Sequence, residues 1–572
     1  TAAIKRYLVH SQEPGFTATW ESSAEAAARG RVDGKTRVPF PSMAAIAAGT
    51  FLEALVECAA TDTQIKQAID AYVQAFRRSG LEETVDPRAL PALARAGRSA
   101  GMEGFLRIEP EYLFPDALEI LIRQGGDPGR KKRLEDFQAA SKELQHAAAA
   151  QGLRPRKQVA VLRMDGDALT RLILGDPKVI PTRWRDVLHP EAVPQVTKNF
   201  VEACWPGLLG KRRLMGPALH ATITRSLADF AHRITAWVVE REFNGRLIYA
   251  GGDDLLALLP AVEAIPAAAR LQQLFSAPYV LDTSADADPW AWRRGAPPDG
   301  TAQARQRFRV PTVDAEAQGA PDIRLSERRF EPHAGGDPTA TELPQGNAFG
   351  LYPMLGRGQS LSAGIAIGSF KTPLGLVLRT AREMLEQDAN QHMDKSALAV
   401  TLLSGGGAKL SFAAHWRGAV SEAEGGAAGG DPTTEGKDVH PDPPDLQRHL
   451  ARVVEGFAAR TGGGKRQRGP GLAGRLPYKL RDHIAATGRV LLELPSAERT
   501  ELVRGLVCLE PGFSKKSDGN QPMLDSVVRL VECGLAYAAR RPGAAQAPID
   551  QLAQTAVAGL LLARKLAADG SG

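Results

Sequence analysis

Leu247-Ile248-Tyr249-Ala250-Gly251-Gly252-Asp253-Asp254-Leu255-Leu256-Ala257-Leu258-Leu259 is the stretch on which the reading of this chain turns. Two apolar runs of strand length flank a glycine pair, so the spacing predicts a strand over 247–250, a tight turn, and a second strand over 255–259. Gly251 and Gly252 permit turn dihedrals with φ > 0 and leave room for a nucleotide against the backbone. The turn carries two adjacent carboxylates, Asp253 and Asp254. A second acidic tip lies upstream. Val159-Ala160-Val161-Leu162-Arg163-Met164 predicts a buried strand, and it runs directly into Asp165-Gly166-Asp167.

Working outward, helical spacing extends over 217–242 and from Pro260 to about 275, where proline opens the helix. Residues 280–345 are rich in Pro, Gly, Asp and Arg without periodicity, which predicts a long, partly disordered insertion. A strand over 361–369, a helix over 373–391 and a strand over 397–403 follow. The core order is βαββαβ, so an α+β ferredoxin-like fold is expected. In that fold the first strand lies beside the hairpin, and Asp165 is expected to face Asp253 and Asp254. Crowded carboxylates raise one another's pKa, and a divalent cation relieves the repulsion. Mg²⁺ or Mn²⁺ takes oxygen ligands and substrate phosphates, and two such ions can activate a 3′-hydroxyl while stabilising leaving pyrophosphate. Asp165, Asp253 and Asp254 are therefore the expected catalytic and metal-binding residues, with Asp167 beside them as a further expected metal-binding residue. Gly166, Gly251 and Gly252 shape the expected nucleotide site. Ser226 and Asp229, on the helix ahead of the hairpin, and Lys371, after the 361–369 strand, could border the nucleotide; each also reads as a surface residue.

With 572 residues the chain exceeds one core, and the texture divides it. Residues 1–155 read as mostly helical, 156–420 as the α+β domain, 421–445 as a Gly/Pro/acidic linker and 446–572 as a separate helical domain. No run approaches the roughly 18 apolar residues of a membrane helix, and no charged-then-apolar leader follows Thr1. Thr1 in place of an initiator methionine suggests a start upstream. Cys58, Cys204, Cys508 and Cys533 are far apart, which argues against a zinc ribbon or disulfide framework and for a reducing cytoplasm. The net charge of +6 is modest, but basic residues cluster at 130–133, 154–157, 211–213 and 465–468, mostly beside Gly or Pro and hence in expected loops. Such clusters suit RNA or DNA phosphates. Gly462-Gly463-Gly464-Lys465 lacks the Ser or Thr of a phosphate loop, and the histidines form no His-Asp pair.

The phrases AVLRMDGDALTRLI, HATITRSLADFA, GRLIYAGGDDLLALLP and LSAGIAIGSFKTPLGLVLRTAREMLEQ resemble the Cas10 large subunits of type III CRISPR complexes, in particular the type III-B form, Cmr2. The resemblance covers about 158–405. It implies a subunit of a crRNA-guided ribonucleoprotein with other Cmr subunits, no membrane partner, and a palm that converts ATP to cyclic oligoadenylates when target RNA binds. Asp165, Asp253 and Asp254 would then be metal ligands. The sequence departs from many Cas10 proteins in lacking a visible HD nuclease motif and a four-cysteine zinc finger. A first palm is not recognisable in 1–150, which reads as a divergent or truncated version. Two other readings stay open: a GGDEF-like diguanylate cyclase, although Leu255 follows Asp254 where the usual turn of that group has Phe, and a non-catalytic scaffold.

Overall fold

The apolar run ahead of Asp165 forms strand β1 (Gln158–Gly166), and the hairpin forms β2 (Arg246–Gly251) and β3 (Asp254–Pro260). β4 (Leu361–Ser369), β5 (Ala397–Leu403) and β6 (Lys409–His415) complete one sheet in the order β6-β5-β4-β1-β3-β2. The computed structural model describes residues 31–32, 35–36, 40–86, 89–124, 127–176, 183–184, 207–282, 307–310, 351–356, 358–404, 409–417, 445–461, 472–510, 513, 521–544 and 546–568. Within the sheet, β4-β1-β3-β2 are mutually antiparallel neighbours, the order of a ferredoxin-like fold. β5 is added parallel to β4 through a helical crossover, and β6 pairs back on β5. The sequence reading missed β6, whose Phe412, Ala413 and Ala414 are buried.

Both faces of this sheet are covered, which is why its strands are apolar throughout rather than alternating. On one face Ala160, Leu162 and Met164 pack against the helix that begins at α6 (Pro217–Asp229) and against α7 (Ala264–Phe275). On the other, Val159, Val161 and Ala366 pack against α8 (Leu374–Glu383) and a layer of N-terminal helices. That layer contains α1 (Met43–Ala59), α2 (Thr63–Ser79), α3 (Pro91–Ala100), α4 (Pro115–Arg123) and α5 (Pro128–Ala150). Ser42, Asp62 and Asp127 cap α1, α2 and α5 by accepting from backbone N–H groups. The described residues of 1–155 also include a two-residue ladder that pairs Arg31 with Thr36 and Val32 with Lys35.

Several expectations change. The long helices over 217–242 and 374–392 are α-helical only in their first parts. They widen to π-type turns at Phe230–Thr235, Val238–Glu242 and Met384–His392. The insertion begins and ends as order: Tyr279–Asp282 pairs with Phe308–Arg309 and Leu351–Pro353 in a small sheet, with Phe308 buried. Most of 280–345 lies outside the described residues, as do 421–444 of the linker and Lys465 to Arg468. Arg130 to Arg133 lie within α5, on its exposed first turns, rather than in a loop. The C-terminal helices, among them α9 (Asp445–Thr461) and α10 (Gln521–Arg540), do not form a core of their own. Leu450, Val527 and Leu560 share one continuous cluster with Phe412, Trp416 and the sheet. Among the described residues no single helix is long and apolar enough to cross a membrane.

Candidate active site

Antiparallel pairing sets the end of β1 beside the start of β3. Met164 pairs with Leu255 on one side, and Asp165 pairs with Ser362 on the other. The hairpin closes through Gly251 and Asp254, leaving Gly252 and Asp253 as a two-residue turn. Gly252 has φ of 73°, the first central position at which tight hairpins take glycine. Gly251 does not need positive φ, contrary to expectation. It is small because the Tyr249 ring folds over it. Gly166 is the one crowded by an acid of the site itself. A Cβ there would lie 2.6 Å from the Asp253 side chain, and the Gly166 backbone instead hydrogen-bonds the Asp253 carboxylate.

The acids feel one another. Burial, then the charges of Asp254 and Asp253, push the Asp165 carboxyl up to about 6, with Lys395 opposing. Burial also raises Asp253, the charge of Asp254 adds to it, and the backbone N–H groups of Asp253 and Gly166 oppose. Asp254 is exposed at the tip. These are hard oxygen donors in mutual repulsion, a donor set that suits Mg²⁺ or Mn²⁺. As the side chains stand, no three His, Cys, Asp or Glu groups among the described residues converge on a common metal position.

Asp167 differs from its neighbours. It is 6% exposed, and both its oxygens are engaged: Ser362 Oγ donates at 2.8 Å to Oδ1, and Ser360 Oγ at 2.6 Å and Ser396 N at 3.0 Å donate to Oδ2. Burial raises its pKa and those donors oppose the rise. The carboxylate expected among the metal ligands is thus engaged by three protein donors. It is an anchor for the turn before β5. That turn, Asp394-Lys395-Ser396, has φ of 56°, 69° and 47°, three successive non-glycine residues in the left-handed region. Such residues cost about 1–2 kcal/mol each, so the surroundings must hold them there. The Lys395 N–H donates to Ala389 O at 3.0 Å, and Trp416 N–H donates to Ser396 O at 3.0 Å.

Lys395 is the residue that sequence reasoning missed, the cation that opposes the rise at both Asp165 and Asp167. One signal was available. A parallel crossover returns the chain to the end at which β4 begins, so whatever precedes β5 sits beside the end of β1. Lys371 is the opposite case. Ser369 pairs with Gln158, at the far end of β1 from Asp165, roughly 25 Å away at the usual rise per residue. Lys371 instead pairs with Glu111 at 3.5 Å, beside Phe370, which stacks on Phe114. It fastens the N-terminal layer and does not border the acids. Ser226 is buried on α6 with Ile223 and Asp229. Asp229 is held by Arg225 and Arg233, at 3.2 Å each. Among the described residues neither side chain hydrogen-bonds the acid cluster.

A ferredoxin-like sheet with carboxylates at the end of its first strand and on its central hairpin is a palm domain of nucleotidyltransferase-like fold. Residues 158–287 match the family model described as Cas10/Cmr2, second palm domain. The matched residues contain all four aspartates but not Lys395. A CRISPR system Cmr subunit Cmr2 from Pyrococcus furiosus is 34% identical over 151 residues, which are 26% of this chain and 15% of that protein. Two solved structures also align, the type III-B Cmr-beta bound to cognate target RNA and the same complex in its apo state. Their TM-scores are 0.42 and 0.41 at 13% and 12% identity, over 85% of this chain and 44% and 43% of theirs. The chain thus spans less than half the length of these structural relatives.

Proposed function

We propose that this palm joins ATP into cyclic oligoadenylates, as a subunit of a crRNA-guided type III-B complex that is switched on by target RNA. The observation that carries the reading is the crowding of Asp165, Asp253 and Asp254 where β1 meets the hairpin, inside a domain of the Cas10/Cmr2 second-palm family. Asp165, Asp253 and Asp254 would hold the divalent ions. When bound, those ions supply charge neutralisation at the triphosphate and a more acidic 3′-hydroxyl. The chain's own residues then have separable tasks. Gly166 and Gly252 let the acidic tip close on β1. Asp167 fixes the turn that presents Lys395, and Lys395 balances the carboxylate charge and borders the phosphates. The exposed basic turns at 130–133 suit RNA phosphates in the assembled particle.

The test is product analysis by mass spectrometry. The complex assembled with guide RNA is given ATP or GTP with Mg²⁺, with and without complementary RNA. The reading expects adenylate rings that require the target. A cyclic guanosine dinucleotide made without RNA would establish the diguanylate-cyclase reading instead. No product from either nucleotide with target bound would establish the scaffold reading.

A further inference from the structure

We propose that the C-terminal helix α10 holds the Lys395 turn in its working position, with His415, Arg540 and Tyr537 acting as positioning residues for the acid site. Resting on the cyclase reading above, this inference names residues to which that reading gives no role. The left-handed turn at Asp394-Lys395-Ser396 has no glycine to make it easy. The last residues of α10 grip the chain on both sides of it. On the entering side, Tyr537 OH donates at 2.5 Å to Asp388 Oδ1, four residues before His392 in the same π-type helix. His392 Nδ1 lies 3.1 Å from the same oxygen. The Tyr537 ring is fully buried and belongs to a small cluster with Ala389, Met393 and Ala397, the residues that bracket the turn.

On the leaving side, His415 of β6 pairs directly with Ala397, the first residue beyond the turn. Arg540 Nη1 lies 2.8 Å from His415 Nε2. A guanidinium can only donate, so Nε2 must be the unprotonated nitrogen and the ring is neutral with its proton on Nδ1. The same ring hydrogen-bonds the backbone of Lys395 and Ser396. Arg540 therefore fixes the tautomer that lets the imidazole hold that backbone. Burial and the Arg540 charge lower the His415 pKa, in keeping with a neutral ring. The path is continuous: α10, Arg540, His415, the Lys395 backbone, and from Ser396 N to Asp167 behind the acids. Any partner that displaces the C-terminal helices would loosen the turn that carries Lys395.

The test uses the full chain in its assembled complex and two readouts. Hydrogen exchange is followed at Lys395 and Ser396 in the wild type, Arg540→Ala, Arg540→Lys and Tyr537→Phe. ATP turnover with target RNA is followed in the same set. Arg540→Ala and Tyr537→Phe should each speed exchange at the turn about tenfold, the effect of losing one hydrogen bond, with β1 exchange unchanged. They should raise KM for ATP more than they lower kcat, and Arg540→Lys should recover most of both. Unchanged exchange at the turn in both variants overturns the proposal, as does faster exchange with wild-type turnover. If the wild type makes no product, the cyclase reading fails by itself, and the exchange measurement still decides whether α10 holds the turn.

Discussion

At the residue scale, the acid site is an arrangement of carboxylates that repel until something neutralises them. Asp165 carries this most clearly, and its sign can be followed. An acid raised from the ordinary carboxylate range to about 6 contributes stability below that range and loses it as pH rises through 6. In chelator, Asp165→Asn should therefore gain about 1 kcal/mol relative to the wild type between pH 5 and 7.5, after solvent screening of a half-buried group. Millimolar Mg²⁺ should reverse the gain, because the ion stabilises only the wild type. Thermal unfolding of both proteins at the two pH values checks this, and a pH-independent difference would contradict it. The glycines are graded by the same geometry. Gly166→Ala drives a methyl into Asp253 and should cost activity 100-fold or more, since misplacement near 1 Å is worth that much. Gly251→Ala meets only the tip of the Tyr249 ring, which can swing away, and should cost less than tenfold. Initial rates of the two variants decide the order. Both carboxylate tips were legible in the sequence because each ends an apolar run. The role of Asp167 was not, because its three donors come from β4, the residue just before it and the turn before β5, far along the chain.

At the scale of elements, β1 does most of the positioning. It lies between β3 and β4, carries Asp165 at one end and directs Gln158 toward Ser369 at the other. The sequence pattern read β1, the hairpin, β4 and β5 correctly because a sheet buried on both faces leaves near-continuous apolar runs. It missed β6, where Ser411 and Lys409 interrupt the pattern at a sheet edge, and it placed Lys371 by sequence proximity instead of strand direction. Direction decides: a residue following β4 belongs to the end opposite the one that receives Asp165. Lys371→Ala should accordingly leave nucleotide turnover within about twofold of wild type, whereas Lys395→Ala should lower it at least tenfold, the loss of a charge-assisted contact. Steady-state kinetics of the pair test the assignment, and equal losses would contradict it.

At the scale of the whole molecule, the palm is held between two helical layers that the sequence marked as separate regions. Composition shifts located the boundaries, but they could not reveal that Val159 and Leu258 would bury against the N-terminal helices, or Phe412 against the C-terminal ones. The N-terminal join is polar at its centre. Asn244 Nδ2 donates to Glu53 Oε2 at 2.7 Å and to Glu263 Oε1 at 3.1 Å, its backbone N–H donates to Glu263 Oε2 at 2.6 Å, and Thr50 Oγ1 donates to Glu263 Oε1 at 2.6 Å. Burial raises the Glu263 pKa, with these donors opposing. Asn244→Ala leaves two buried carboxyls without their shared donor and should cost about 2–4 kcal/mol. The loss should be larger at pH 8 than at pH 5.5, where Glu263 takes a proton more easily. Denaturant unfolding at the two pH values measures it.

The central claim is that Asp165, Asp253 and Asp254 form a nucleotidyl-transfer site governed by bound RNA. The most direct measurement is pyrophosphate release from ATP by the guide-RNA complex, with Mg²⁺, before and after addition of complementary RNA. Release that appears only with target RNA, and that is lost in Asp253→Ala/Asp254→Ala while the complex still assembles, is the predicted result. Release that persists in the double variant would contradict the account, as would no release from the wild-type complex with target bound.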